Sequence, residues 1–223
     1  MRFIVILLHL FSFSLFGQIN YEFDYMIEYE RTVSADSSKY EKVYYLTNSK
    51  NNKYIGVLKE NDSLNYKFYF RDNERFTVMI KLSKSDFEKA DRLHNDCIGI
   101  KKWNINSYGK RSNKFKFEKT EDTIIKNQLL KRYKLSKNNK KIKKKTLHFL
   151  YYIIKESTEF HLPYFENPLA YKCWLKDKPF SSGVFEEFGT YSKNKGYLII
   201  NKLKSIKEIN KSFQIPEHCE QLD

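Results

Sequence analysis

Hydrophobic and polar positions alternate with a period of two along most of this chain. In YEFDYMIEYER the odd positions Tyr21, Phe23, Tyr25, Ile27 and Tyr29 are apolar or aromatic, and Glu22, Asp24, Glu28 and Glu30 stand between them. That alternation predicts a strand with one face in a core and the other in water. NYKFYFR repeats it with Tyr66, Phe68 and Phe70, and NKFKFEK with Phe115 and Phe117. KVYYLTN, KYIGVLK and FTVMIKL read as further strands, separated by Asn-, Asp- and Lys-rich stretches that suit turns. DTIIKNQLLKRYKLS predicts a hairpin turning at residues 126–128, and VFEEFGTY followed by GYLIINKLKSIKE predicts another around residues 192–195.

Two segments break the pattern. In SDFEKADRL, Ser85 and Glu88 have capping-box spacing, and Phe87, Ala90 and His94 share one helical face, which predicts a single short helix of two to three turns. STEFHLPYFENPLAYKCWLKDKPFSSG contains Pro163, Pro168 and Pro179. Those prolines exclude a central strand there and predict a long irregular excursion, the kind of loop that often carries function. A third segment, TLHFLYYIIKE, is apolar on both faces: Leu147, Phe149, Tyr151 and Ile153 on one, Leu150, Tyr152 and Ile154 on the other. A strand of that kind is central and covered on both sides.

The opening MRFIVILLHLFSFSLFGQ places Arg2 ahead of an apolar run and ends at Gly17-Gln18, the order of a secretory signal peptide. The run is too short for the roughly 20 residues of a spanning helix. The expectation is a signal peptide over residues 1–18, cut near Gly17, and one β-rich domain over 19–223 in the periplasm or outside the cell. With Arg2 removed, 40 basic residues face 27 acidic ones. Lys, Asn, Ile, Tyr and Phe, all with A- and T-rich codons, are abundant, so much of that excess follows coding bias. The cysteines Cys97, Cys173 and Cys219 allow three different single bridges. Cys219 lies near the chain end, where fraying is common, which favours Cys97 with Cys173.

The search for chemistry finds no nucleophile elbow, no phosphate-cradling glycine loop, no metal-ligand spacing and no cofactor motif. A catalytic reading would require His161 to meet Glu159, Glu166 or Asp177 in a cleft; the expectation is that it does not, and that the protein is not an enzyme. The strongest charge feature is Lys137, Lys140, Lys141, Lys143, Lys144 and Lys145. Only Ile142 interrupts the last five, and the run lacks the aromatics or arginines that nucleic-acid binding would use. It reads as a solvated hairpin loop that keeps the apolar strand after it from aggregating, or as a contact to an anionic envelope surface. Phe68, Phe70, Phe115 and Phe117 either build the sheet core or line a ligand cavity.

The strand YEFDYMIEYE after a signal ending Phe-Gly-Gln, the DTIIKNQLLKRYKL hairpin and the late KGYLIINKLKSIKEINKSFQIP together resemble small exported proteins of Bacteroidota, the GLPGLI family among them. FSSGVFEEFGT stands where the string that names that family would fall. These proteins in turn look like the LolA-type half-barrels. That likeness implies a mainly β fold, an antiparallel curved sheet or half-open barrel with one short helix, holding a lipid or a lipoprotein acyl chain. The resulting expectation is a non-catalytic, non-spanning envelope protein that binds an apolar or amphiphilic ligand, with Phe68, Phe70, Phe115 and Phe117 on the cavity wall.

Overall fold

In the computed structural model, residues 17–33, 40–102, 105–138, 148–192 and 196–221 are described. The alternating segments form β1 (Gln18–Val33), β2 (Tyr40–Asn48), β3 (Asn51–Glu60), β4 (Asn65–Asp72) and β5 (Phe76–Ser83), each antiparallel to the next. Helix α1 (Lys84–Lys89), the small strands β6 (Arg92–His94) and β7 (Ile100–Lys102) and helix α2 (Ile105–Ser112) follow. Then come β8 (Phe115–Lys119), β9 (Thr123–Ile125), β10 (Gln128–Leu130), β11 (Arg132–Lys137) and β12 (His148–Lys155). Helix α3 (Pro168–Asp177), β13 (Val184–Ser192), β14 (Gly196–Pro216) and a 3₁₀ turn (Glu217–Gln221) complete the described elements. Residues 1–16 of the expected signal peptide lie outside the described residues.

Twelve strands form one sheet in the order β7-β5-β4-β3-β2-β1-β14-β13-β12-β11-β8, with β6 laid in parallel beside β14. All other pairings are antiparallel. Bulges interrupt the register between β1 and β14, β12 and β13, and β13 and β14. Each bulge bends and twists the strands around it. Among the described residues nothing joins β7 to β8, so the curved sheet is open rather than a closed barrel.

Both faces are apolar. Val57 and Leu58 are neighbours on β3 and enter different clusters, one with Val43, Tyr45, Phe165 and Phe185, the other with Leu46, Phe68, Phe70 and Phe213. The first cluster is covered by α3 and the segment before it, the second by Phe87 of α1, Leu93 of β6 and Cys219. The odd positions of β1 therefore do not share a face, contrary to what the alternation predicts. Tyr21 and Phe23 enter the second cluster, Ile27 and Tyr29 the first. The bulge between Phe23 and Tyr25 reverses the side on which successive residues emerge.

The doubly apolar strand is indeed interior. β12 lies between β11 and β13; Tyr152 and Ile154 face the α3 side, while Tyr151 and Ile153 pack with Leu130 of the β9–β10 hairpin. That hairpin turns through Lys126 and Asn127, both at positive φ, with Ile125 opposite Gln128. Two residues in that conformation match the twist of the flanking strands.

Three expectations are corrected. The first concerns α1, which is capped by Ser83 rather than Ser85, through a bond from Asp86 N at 3.3 Å, and which ends at Lys89. His94 is an exposed residue of β6 instead of a helical one, because pairing with β14 outcompetes another helical turn. The second is the proline-containing excursion, which holds a helix. Asn167 caps α3 by accepting from Leu169 N and Ala170 N, and Pro168 occupies the first turn, where its missing N–H costs nothing. The third is the disulfide, which joins Cys97 to Cys219, with Cα atoms 5.1 Å apart. The chain end does not fray there: β14 pairs with β1 as far as Pro216, and Asn95 N bonds to Gln214 O at 3.0 Å, which brings the loop holding Cys97 alongside. Cys173 is buried in α3, its thiol turned to the Ser112 carbonyl at 3.7 Å.

Candidate functional site

On the face covered by α3, polar side chains from four parts of the chain converge. Arg31 continues the odd register of Ile27 and Tyr29 on β1, so it points into that face, and it lies directly across from Asn201 of β14. Tyr45 of β2 sits opposite Ile27. Glu166 is delivered by the segment that Asn167 fixes at the start of α3. Arg31 Nε donates to Asn201 Oδ1 at 2.7 Å, and Arg31 Nη2 donates to Glu166 Oε2 at 2.6 Å and to the Tyr45 hydroxyl oxygen at 2.5 Å. The Tyr45 hydroxyl in turn donates to Glu166 Oε2 at 2.7 Å. Beside this network, Tyr164 donates to Tyr29, and Tyr29 to the Phe185 carbonyl.

Burial alone would raise the Glu166 carboxyl, but the Arg31 guanidinium and the Tyr45 hydroxyl outweigh it and hold the group below its ordinary range. Burial and the adjacent Glu166 push the Tyr45 phenol far up, so it remains a donor. The Arg31–Glu166 pair is thus an ionised, hydrogen-bonded unit in a mostly apolar face.

Two cavities adjoin it. One, of about 460 Å³, lies over β3, β4, β5 and β7 and is lined by Ile55, Val57, Tyr69 and Met79 together with Lys59 and Lys101. The other, of about 360 Å³, lies between the start of α3 and β12–β14, against Tyr152, Phe188, Thr190, Ile199 and Asn201. Arg71 and Glu166 line both. Such volumes fall in the range of small-molecule sites.

The residues singled out from the sequence are spread over this architecture. Phe68 and Phe70 are fully buried in the cluster on the opposite face, though Phe70 also borders the larger cavity. Phe117 packs on Tyr152, Phe165 and Phe180 under α3. Phe115 borders a smaller cavity of about 140 Å³ with Leu135, Phe149 and Leu169. The four therefore do not meet in one chamber. Lys137 ends β11 and is exposed; Lys140, Lys141, Lys143, Lys144 and Lys145 lie outside the described residues.

His161 is fully buried. Its Nδ1 faces the Leu162 carbonyl at 2.5 Å, which can only accept, so Nδ1 carries the proton and Nε2 accepts from the Thr47 hydroxyl at 2.8 Å. Burial lowers its pKa, which favours this neutral form. Glu166 is engaged by Arg31 and Tyr45, and Glu159 is exposed. Asp177 lies at the far end of α3, beside Lys176.

Arg31, Arg71, Tyr45 and Asn201 were not singled out from the sequence. Period two carried a signal for two of them: Arg31 follows Ile27 and Tyr29 by steps of two, and Arg71 follows Tyr69. A charged residue that continues an apolar register is a buried charge awaiting a partner.

No family model matches the chain, the GLPGLI family included. No curated protein matches it either. Among solved structures it is similar to the MucA/MucB complex of Pseudomonas aeruginosa, at 6% identity and a TM-score of 0.40, over 85% of this chain and 52% of that one. It is similar to MucB in a separate crystal structure, at 4% identity and a TM-score of 0.39, over 83% of this chain and 53% of that one. A domain from Vibrio parahaemolyticus, described as an outer membrane lipoprotein-sorting protein, is 7% identical with a TM-score of 0.31, over 83% of this chain and 85% of that one. The chain spans about half the length of the first two.

Proposed function

We propose that this is an exported, non-catalytic binding protein that holds an amphiphilic, lipid-like ligand in the two cavities that adjoin at Arg71 and Glu166. The observation that carries the reading is the make-up of the larger cavity. Its floor is apolar, with Ile55, Val57 and Met79, while Lys59, Arg71, Lys101 and Lys102 also line it against a single acid, Glu166. An acyl chain suits the floor and an anionic head group suits the basic side chains. Phe70 belongs to this proposal as a wall residue of the larger cavity, whereas Phe115 lines the separate 140 Å³ cavity. The Cys97–Cys219 disulfide, together with the signal-like opening, supports a periplasmic or extracellular location, because disulfides persist in oxidising compartments. No helix among the described residues is long and apolar enough to cross a membrane.

The test is mass spectrometry of small molecules that co-purify with the protein from its own cell envelope, combined with uptake of a fluorescent fatty acid. Met79, 42% exposed on the cavity wall, gives a variant that fills the space without disturbing the core: Met79→Trp. An anionic amphiphile bound to the parent chain and lost from Met79→Trp is the expected result. A parent chain that carries no amphiphile and takes up no probe overturns the proposal.

A second reading assigns the contact to the lysines. β11, which pairs with β12 from Arg132–Ile153 to Leu135–Leu150, ends at Lys137, the exposed first lysine of the series. That position supports contact with an anionic envelope surface.

A further inference from the structure

The Cys97–Cys219 disulfide has a histidine, His218, against it. The ligating atoms of Cys97, His218 and Cys219 all lie within 4.8 Å of one another, and Cys97 Sγ is 3.5 Å from His218 Nε2. Two donors of one tetrahedral zinc ion, with bonds of about 2.3 Å to sulfur and about 2.0 Å to nitrogen, stand about 3.5 Å apart. One of the three donor pairs already has that spacing. The two sulfurs would have to separate to about 3.8 Å, a change that side-chain rotation can supply once the bond between them is broken.

We infer that Cys97, Cys219 and His218 form a thiol-dependent site for a soft divalent cation such as Zn²⁺, closed while the disulfide is intact and opened by its reduction. A dithiol reductant breaks the S–S bond, supplies two electrons and two protons to give two thiols, and leaves as its own disulfide. Zn²⁺ then displaces the two thiol protons, and His218 Nε2 supplies the third ligand. The fourth position falls to water. Cys97 is partly exposed and His218 is exposed, so the ion has access, whereas Cys219 is buried and fixes the site to the sheet. The third cysteine takes no part: Cys173 lies in the other cluster, under α3. Disulfide and ion would tie the same two segments, the loop before β7 and the turn after β14, in two redox states.

The test uses the whole purified chain in two forms, air-oxidised and reduced by a water-soluble phosphine, which departs as the phosphine oxide. Co²⁺ is the probe, read by its thiolate charge-transfer absorption and visible d–d bands, and Zn²⁺ is the competitor. One equivalent of tetrahedral Co²⁺, displaced by Zn²⁺ and found only in the reduced chain, is the expected result. His218→Ala weakens it by about tenfold or more, since even residues behind the ligands cost that much. Cys173→Ala leaves it unchanged. Equal binding by the oxidised chain, or full affinity in His218→Ala, overturns the inference. So does loss of the near-ultraviolet circular dichroism on reduction, because the site would then belong to an unfolded chain.

Discussion

Arg31 and Glu166, 135 residues apart in sequence, meet at 2.6 Å on the α3 face, and both also hold the hydroxyl of Tyr45. Removing the guanidinium takes the counter-charge from Glu166, which keeps only the Tyr45 hydroxyl, and the donor from Asn201 Oδ1. Arg31→Met should cost about 2 kcal/mol in urea unfolding, less than the roughly 3–5 kcal/mol of a fully buried pair, because the Glu166 side chain is 38% exposed. The pH dependence has a definite sign. The Glu166 pKa is lowered in the fold, so its contribution is full above the ordinary value of 4.5 and is lost as pH falls through the folded value. Glu166→Gln should therefore be less stable than the parent at neutral pH and equal to it in strong acid.

His161 should add a second acid sensitivity at higher pH. Its pKa is lowered from 6.5 by burial, so the unfolded chain takes up the proton more readily than the folded one. The stability that neutral His161 contributes is complete above pH 6.5 and declines as pH falls toward the folded value. Urea midpoints measured at pH 8 and pH 5.5 should differ more for the parent than for His161→Gln. An equal difference would mean that the fold leaves the His161 pKa where the unfolded chain has it.

Two glycines make opposite predictions. A Cβ on Gly189 of β13 would fall 1.9 Å from the Ile199 carbonyl oxygen and 3.0 Å from the Tyr151 hydroxyl, so Gly189→Ala must push β14 away. The expected cost is about 3 kcal/mol, roughly a 6–12 °C fall in Tm for a chain of this size. A Cβ on Gly109 in α2 meets nothing within 4 Å, and Gly109→Ala should stabilise by roughly 0.5–1 kcal/mol. Calorimetry on the two variants tests whether β13 and β14 approach as closely as described.

The lysine reading makes a separate forecast. If the segment meets an anionic surface, replacing Lys137, Lys140, Lys141, Lys143, Lys144 and Lys145 by glutamine should abolish sedimentation with phosphatidylglycerol vesicles at low salt and leave fatty-acid uptake intact. At about 1 kcal/mol per lysine near such a surface, even half of these residues would change binding about a hundredfold. Unchanged sedimentation would return the segment to the role of a solvated loop.

The strands were legible because period two survives in a sequence wherever one sheet face is drier than the other, as in β4 and β8. β12 could even be read as doubly covered, since polar residues drop out of both of its faces. The split of β1 between two clusters was hidden, because a bulge is a property of the strand pair and leaves no mark on the alternation of either strand. α3 was hidden by its own start signal: Pro168 forbids a strand and permits a first helical turn, and only the preceding Asn167 distinguishes the two. For the site, Glu166 was visible as a carboxylate beside His161, yet its partner Arg31 lies on a strand whose long-range pairing no local pattern encodes. The disulfide failed for the same reason, since β14 had to be paired with β1 and β6 before Cys219 could be placed.

The position of β14 has a consequence for how the chain is made. It lies between β1 and β13 at the middle of the sheet, yet it follows every other described strand in the chain, and Tyr25 must wait for Glu208, 183 residues later, to find its partner. Until then β1 has only β2 beside it, and the two halves of the sheet are joined by unpaired chain. Contacts this distant in sequence are slow to form. A sheet whose middle strand follows both flanking halves in the chain closes its core only after both have been made.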